Sequence, residues 1–229
     1  SSANQATVFR YENGEVKPSD LEYSYTDLTL EDFDRDGTDE LFMSSVNTAD
    51  KSAAARLLKY SEASDSLVNV SEVEMNQEVT QYALFQAGEL ENGYRGVYID
   101  GVKSGNQMTT ELVYWDPEEQ KLQAPFYSSD SNNQISLTRP AGVTCMDINE
   151  DGVIEIPVAR PFVGNAAASN TVMPAMGERA VSSAAPAYIT QWQQYFPQEK
   201  ELVSIQNMYV NTEEGYYFLM PSSWLETVT

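Results

Sequence analysis

Two segments of the chain place oxygen-bearing side chains at the spacing of a calcium-binding loop. Oxygen atoms at positions 1, 3 and 5 of such a loop can converge on one hard cation, glycine at position 6 permits the tight turn, and position 7 can offer a carbonyl. A glutamate at position 9 would complete the coordination shell. The candidate ligands are Asp32, Asp34, Asp36, Thr38 and Glu40 in the first loop and Asp147, Asn149, Asp151, Val153 and Glu155 in the second.

The residues that follow each loop distinguish these segments from an EF-hand. An EF-hand loop ends on a bidentate glutamate at position 12 and continues into a helix, whereas position 12 here is Met43 or Val158. Residues 41–46 and 153–158 are short, apolar and partly alternating, which is typical of β-strands. We therefore expect each ion to lie on a loop that leads directly into a strand.

This arrangement resembles the calcium loops of the FG-GAP and VCBS repeat families. In those families the motif D-x-D/N-x-D-G-x-x-D precedes an apolar strand in each blade of a β-propeller. This chain has glutamate rather than aspartate at position 9, and it lacks the Phe-Gly and Gly-Ala-Pro sequences of the first family. The resemblance implies a repeated all-β fold with structural Ca²⁺, as in propeller modules of secreted or lipid-anchored bacterial proteins.

Related segments recur at a regular interval along the chain. They begin at residues 32, 88, 147 and 210, which lie 56, 59 and 63 residues apart, and such internal recurrence indicates a repeated structural unit. The segment at 88 keeps the glycine of position 6 as Gly93 but lacks acidic residues at positions 1 and 3, and the segment at 210 is a weaker copy. Metal is therefore expected at the first and third copies only.

A second element repeats in phase with the loops. In three of the copies an aromatic residue is followed seven positions later by a leucine, with a polar turn between them. This pattern predicts β-hairpins, and the recurring aromatic residues are expected to pack between units. The pairs are Tyr60 with Leu67, Trp115 with Leu122, and Tyr195 with Leu202.

These patterns predict a single all-β domain, a small β-propeller or propeller-like fold of about four units. Asn13-Gly14 predicts a hairpin at 7–18, which is expected to pair with residues 205–225 and close the ring. The alternative is an open row of β units cut from a larger propeller. The units are expected near residues 26–75, 80–125, 140–205 (with an insertion at 161–186) and 205–229 closed by 7–18.

The insertion at 161–186 is dominated by small residues and lacks strong periodicity, so it is expected to form a long loop. A few helical turns near 184–195 are also compatible with the sequence. Three residues are candidate ligand contacts: Arg179 in the insertion, and Trp192 and Trp224, which lie outside the repeated aromatic pattern.

Composition excludes several classes of function. The chain has 35 acidic and 13 basic residues, a net charge of −22, which repels nucleic acid and anionic membrane surfaces. The absence of histidine excludes Ser-His-Asp and Cys-His nucleophiles and His-ligated zinc. Paired carboxylates could still hydrolyse glycosides, but nothing singles out two among the acidic residues. The single cysteine, Cys145, lies in an apolar run and is expected to be buried and inert.

The sequence thus predicts a non-enzymatic, calcium-stabilised extracellular module for adhesion or for capture of a glycan or protein ligand. No apolar run is long enough to insert into a membrane. An extracellular or cell-surface location is expected, with lipid anchoring through a preceding segment. One alternative is an accessory domain or enzyme acting on extracellular polysaccharide. Another is a passive structural scaffold.

Overall fold

The structure is a computed structural model that describes residues 4–47, 49, 51–128, 135–161 and 188–224. These residues form β-strands joined by turns, and no α-helix occurs among them. None of their helical turns is long and apolar enough to cross a membrane. The strands are β1 (Asn4–Glu12), β2 (Glu15–Tyr25), β3 (Asp27–Glu31), β4 (Glu40–Asn47), β5 (Ser52–Ser61), β6 (Ser66–Glu74), β7 (Gln81–Glu89), β8 (Arg95–Lys103), β9 (Gln107–Asp116), β10 (Lys121–Gln123), β11 (Arg139–Pro140), β12 (Ile156–Pro161), β13 (Tyr188–Phe196), β14 (Glu201–Asn211) and β15 (Tyr216–Leu219).

Strands that follow one another in the chain pair antiparallel and form four separate sheets. The N-terminal hairpin is β1–β2, the first sheet is β3–β4–β5–β6, the second is β7–β8–β9–β10 with β11 added to β9, and the third is β12–β13–β14–β15. The all-β prediction is confirmed. None of the sheets closes on itself within the described residues.

The predicted hairpins are present at all three repeated positions. Each aromatic residue lies directly opposite its leucine: Tyr60 pairs with Leu67, Trp115 with Leu122, and Tyr195 with Leu202. The residue five positions after the aromatic adopts a left-handed conformation in every case, with φ of 49° at Asp65, 50° at Gln120 and 56° at Lys200. The three turns are therefore built the same way.

Neighbouring sheets share their cores. Phe42 and Leu57 of the first sheet are in one buried cluster with Val97, Val113 and Trp115 of the second. On the opposite face of the second sheet, a further cluster joins it to the third sheet through Tyr98, Tyr114, Ile156 and Tyr195, among others. The middle strands β8 and β9 are consequently buried on both faces.

The repeated aromatic residues differ in burial. Trp115 and Tyr195 are 9% and 2% exposed and pack between sheets as predicted, whereas Tyr60 is 51% exposed and donates a hydrogen bond to Asp65. Tyr60 therefore lies on the surface of its hairpin, not between units.

Ring closure by the N-terminal hairpin is wrong for the described residues. The Asn13-Gly14 hairpin forms, but β1 pairs only with β2. Residues 201–219 instead form β14 and β15, which complete the third sheet because the turn at Gly215 folds the chain back locally. The predicted third and fourth units thus share one sheet.

The prediction of a few helical turns near 184–195 is also wrong for the residues of this range that the structure describes. Residues 188–196 form β13, which has hydrogen-bonded partners on both sides and so cannot adopt helical geometry. Residues 162–187, which include nearly all of the predicted insertion, lie outside the described residues.

A buried ionic network anchors the segment before the second loop. The Arg139 guanidinium donates to Asp100 Oδ1 at 2.7 Å and to Thr110 Oγ1 at 2.8 Å, and the side chains of Arg139 and Asp100 are 2% and 0% exposed. Asp100 Oδ2 also accepts the backbone N–H of Cys145 at 2.6 Å. Cys145 is buried as predicted, and its burial raises the pKa of the thiol. This network fixes the chain two residues before Asp147.

Candidate metal centre

The two acidic loops have the same backbone conformation. Position 4 is left-handed in both, with φ of 60° at Arg35 and 62° at Glu150, and the glycine at position 6 has φ of 91° in both. In each loop the aspartate at position 1 accepts the N–H of that glycine, at 3.0 Å in the first loop and 2.9 Å in the second. The similarity predicted from sequence therefore extends to three dimensions.

The glutamate at position 9 connects each loop to the sheet that follows. Glu40 begins β4, and its Oε2 accepts the N–H of Phe33 at 2.9 Å. Glu155 immediately precedes β12, and its Oε2 accepts the N–H of Ile148 at 2.7 Å. Both glutamates are buried, and burial is the main cause that raises the pKa of each carboxyl group.

Three carboxylates converge in each loop. Ligand atoms of Asp32, Asp34 and Glu40 lie within 4.8 Å of one another, as do those of Asp147, Asp151 and Glu155. Among the described residues these are the two groups of acidic side chains with this geometry. The other predicted ligands, Asp36, Thr38, Asn149 and Val153, lie in the same turns; the backbone N–H groups of Thr38 and Val153 donate to the aspartate at position 5.

The first loop contains buried oxygen atoms that lack a donor. Asp32 Oδ1 and Glu40 Oε1 are inaccessible to solvent and accept no hydrogen bond within the described residues. Burying a carboxylate oxygen without a hydrogen bond is unfavourable, and a cation bound between the two side chains would reduce that cost. The donor set consists of oxygen atoms, which suit Ca²⁺ better than softer metals. The residues therefore fit a calcium site.

Lys59 reaches into the first loop, a contact that the sequence analysis missed. Its Nζ lies 2.6 Å from Asp34 Oδ2 and 2.5 Å from Asp36 Oδ2. It also lies 3.4 Å from Glu40 Oε1, in an ion pair without hydrogen-bond geometry. These contacts raise the pKa of Lys59, and its hydrogen bond is the largest cause that lowers the pKa of Asp36.

Gln194 occupies the equivalent place in the second loop. Its Nε2 donates to Asp151 Oδ2 at 2.9 Å and to Glu155 Oε1 at 2.8 Å. Both Lys59 and Gln194 immediately precede the hairpin aromatic and lie on the strand next to their loop glutamate. The sequence feature that could have identified both residues is their position directly before the hairpin aromatics Tyr60 and Tyr195. One loop thus contains a cationic side chain where the other contains a neutral amide.

The second copy has no such constellation. Its turn is a short 3₁₀ segment, Glu91–Gly93, and the residue that faces Tyr114 across the strands is Gly96. A Cβ added at Gly96 would lie 2.9 Å from the Cβ of Tyr114 and 2.8 Å from the carbonyl oxygen of Val113. An acidic side chain cannot be accommodated there, because the space is already filled.

The candidate ligand contacts lie in different environments. Trp192 is 2% exposed and belongs to the core, whereas Trp224 is 49% exposed in the 3₁₀ turn Ser222–Trp224. Arg179 lies outside the described residues. Of the two that the structure describes, only Trp224 is accessible to a ligand.

Comparisons of the chain with protein-family models, with curated proteins and with solved structures find no match in any of the three. The interpretation of function consequently rests on the geometry of the two loops.

Proposed function

We propose that the protein is a calcium-stabilised extracellular binding or adhesion module without catalytic activity, similar to FG-GAP and VCBS repeats in its loops. The main support is a pair of buried carboxylate oxygens, on Asp32 and Glu40, that accept no hydrogen bond from the part of the chain that the structure describes; their loop has the same backbone turn as the loop at 147–155. The sheets that follow the two loops pack against a common middle sheet.

Calcium is the favoured cation because the converging ligands are carboxylate oxygen atoms. Extracellular modules bind Ca²⁺ with dissociation constants of about 10⁻⁴ to 10⁻³ M. The net charge of −22 favours cation binding over anion binding. In this proposal Asp32, Asp34 and Glu40 hold one ion, and Asp147, Asp151 and Glu155 hold the other.

In each loop the bound ion would fix the position at which the following strand starts. Without it, three carboxylates at close range repel one another. With it, Glu40 at the start of β4 and Glu155 before β12 are held against their own loops. The role of calcium is therefore structural, and the binding role belongs to another part of the surface. A polar cavity lined by none of the loop residues supports that role.

Addition of 1 mM Ca²⁺ to chelator-treated protein should raise the melting temperature. For a dissociation constant of about 10⁻⁴ M, each site contributes about 1.4 kcal/mol, which corresponds to roughly 3–6 °C in a chain of this size. Differential scanning calorimetry with and without chelator measures the shift. Asp32→Asn and Asp147→Asn should each remove part of it, and Asp147→Asn should remove the larger part, because Lys59 places an ammonium group in the first loop whereas Gln194 beside the second loop is neutral.

Glu62→Gln is the matched control, because Glu62 is exposed in the β5–β6 turn and outside both loops. This variant should respond to calcium as the parent does. Equal melting temperatures of the parent protein in calcium and in chelator would contradict the proposal.

A further inference from the structure

A polar cavity of about 230 Å³ lies beside the second sheet, apart from both acidic loops. Among the described residues, its walls come from β9, from the end of β8, from the segment between β6 and β7, and from Phe126, Ile135, Ser136 and Thr138 between β10 and β11. They combine charged, hydroxyl and apolar groups. The lining residues include Glu111, Lys103, Thr109, Thr138, Phe126 and Ile135.

Glu111 is the buried acidic group of this cavity. The residue is 3% exposed, and its Oε2 accepts one hydrogen bond, from the N–H of Asn76 at 3.3 Å. A carboxylate can accept about four, so the described residues leave most of its capacity unused. Burial raises the pKa of Glu111 to about 7. The group is therefore suited to a donor that carries a positive charge.

Lys103 supplies the opposite charge in the same cavity. Its ammonium group donates to Thr138 Oγ1 at 3.3 Å and pairs with Glu78. The Lys103 side chain is 16% exposed, whereas that of Glu78 is 71% exposed. An ion pair with such an exposed partner contributes little stability. An anionic group of a ligand can consequently replace Glu78.

We propose that the cavity binds a free α-amino acid, with the ligand ammonium paired to Glu111 and the ligand carboxylate paired to Lys103. The volume suits a molecule of that size. Thr109 and Thr138 offer hydroxyl groups, while Phe126 and Ile135 offer apolar contact to a side chain. A neutral sugar could use the hydroxyl groups, but it would bring neither a positive charge to Glu111 nor a negative charge to Lys103. The inference rests on the proposed binding role and not on calcium.

Binding should strengthen as the pH rises, because the ligand ammonium requires ionised Glu111. With a pKa of about 7, the ionised fraction and the affinity should rise about tenfold between pH 6 and pH 8. Among the described residues, the titratable groups that influence Glu111 electrostatically are Lys103 on β8, Tyr82 on β7 and Tyr127 after β10, and Glu78 lines the same cavity. The tyrosines stay neutral in this range, since burial raises the pKa of both, that of Tyr82 to about 12.

The test is a set of thermal melts in 2 mM CaCl₂ with each of the twenty standard L-amino acids at 10 mM. At least one should raise the melting temperature of the parent by roughly 3–6 °C, as expected for a dissociation constant of about 1 mM. Glu111→Gln and Lys103→Met should lose this shift, whereas the exposed Glu62→Gln should keep it. Titration calorimetry of the parent with the best amino acid at pH 6 and pH 8 then measures the pH dependence.

Three results would overturn the proposal. These are no shift with any amino acid, an equal shift in a folded Glu111→Gln variant, and a shift with D-glucose or N-acetyl-D-glucosamine alone. If Glu111→Gln does not fold, the Lys103→Met variant and the pH dependence of binding by the parent still test the proposal. A negative result here leaves the calcium melt unchanged, so failure of this inference and failure of the calcium proposal can be distinguished.

Discussion

Replacement of Arg139 by methionine should lower the free energy of unfolding by about 3–5 kcal/mol. The substitution leaves the carboxylate of Asp100 charged and fully buried without its cationic partner. It also removes the donor to Thr110 and the bond from Arg139 Nε to the carbonyl oxygen of Val143. In a chain of this size the melting temperature should fall by roughly 6–20 °C, which scanning calorimetry measures.

Two further variants separate the buried charge from the loss of a long side chain. Arg160→Met removes an exposed arginine that donates to Gln191, and such a surface change should alter stability by about 0.5 kcal/mol or less. The double variant Asp100→Leu with Arg139→Met should recover part of the loss, because no unpaired charge remains. A cost below about 1 kcal/mol for Arg139→Met alone would contradict the importance of this network.

Local features were predictable because their causes lie within a few residues. The pairing of Tyr60 with Leu67 follows from a polar turn of fixed length, and the same turn recurs at Trp115 and Tyr195. Likewise, the apolar residues after Glu40 form β4 as expected. The all-β class and the shared geometry of the two loops could therefore be read from spacing.

Long-range arrangement was less predictable. The 7–18 hairpin carries a strong local turn, but its sequence does not specify which sheet edge it contacts, and the expected pairing with residues 205–225 does not form. Tyr60 has the same local pattern as Tyr195 yet is exposed, and the spacing alone does not distinguish the two. The burial of Glu111 was not predictable from the sequence either, since burial of a carboxyl group within β9 depends on the segments packed around it.

The residue before each hairpin aromatic determines what faces the loop. Lys59, Tyr114 and Gln194 hold this position in the first, second and third sheets. Tyr114 faces Gly96 and belongs to a buried apolar cluster, so no acidic loop lies opposite it. Lys59 and Gln194 instead face acidic loops, one as a cation and the other as a neutral amide. We infer that the two loops differ in affinity for calcium, with the second loop binding more tightly.

Exchanging these two residues should therefore exchange the affinities. Lys59→Gln removes an ammonium that contacts Asp34 and Asp36 and would otherwise compete with the ion. We expect the calcium affinity of the first loop to rise about ten- to a hundredfold, or roughly 1.4–2.7 kcal/mol. Gln194→Lys should lower the affinity of the second loop by a similar factor. Titration calorimetry in an Asp147→Asn or Asp32→Asn background measures each loop alone.

The same substitution should have opposite effects on stability with and without metal. In chelator, Lys59→Gln leaves the carboxylates of the first loop without any cation, so the melting temperature should fall relative to the parent. In calcium the difference should shrink or reverse, because the ion replaces the ammonium. Lys121→Gln makes an equal change in net charge at an exposed position on β10, where Lys121 pairs with Glu119 and lies outside both acidic loops, so it should show neither effect. A Lys59→Gln protein whose calcium affinity matches that of the Lys121→Gln control would exclude competition between lysine and metal.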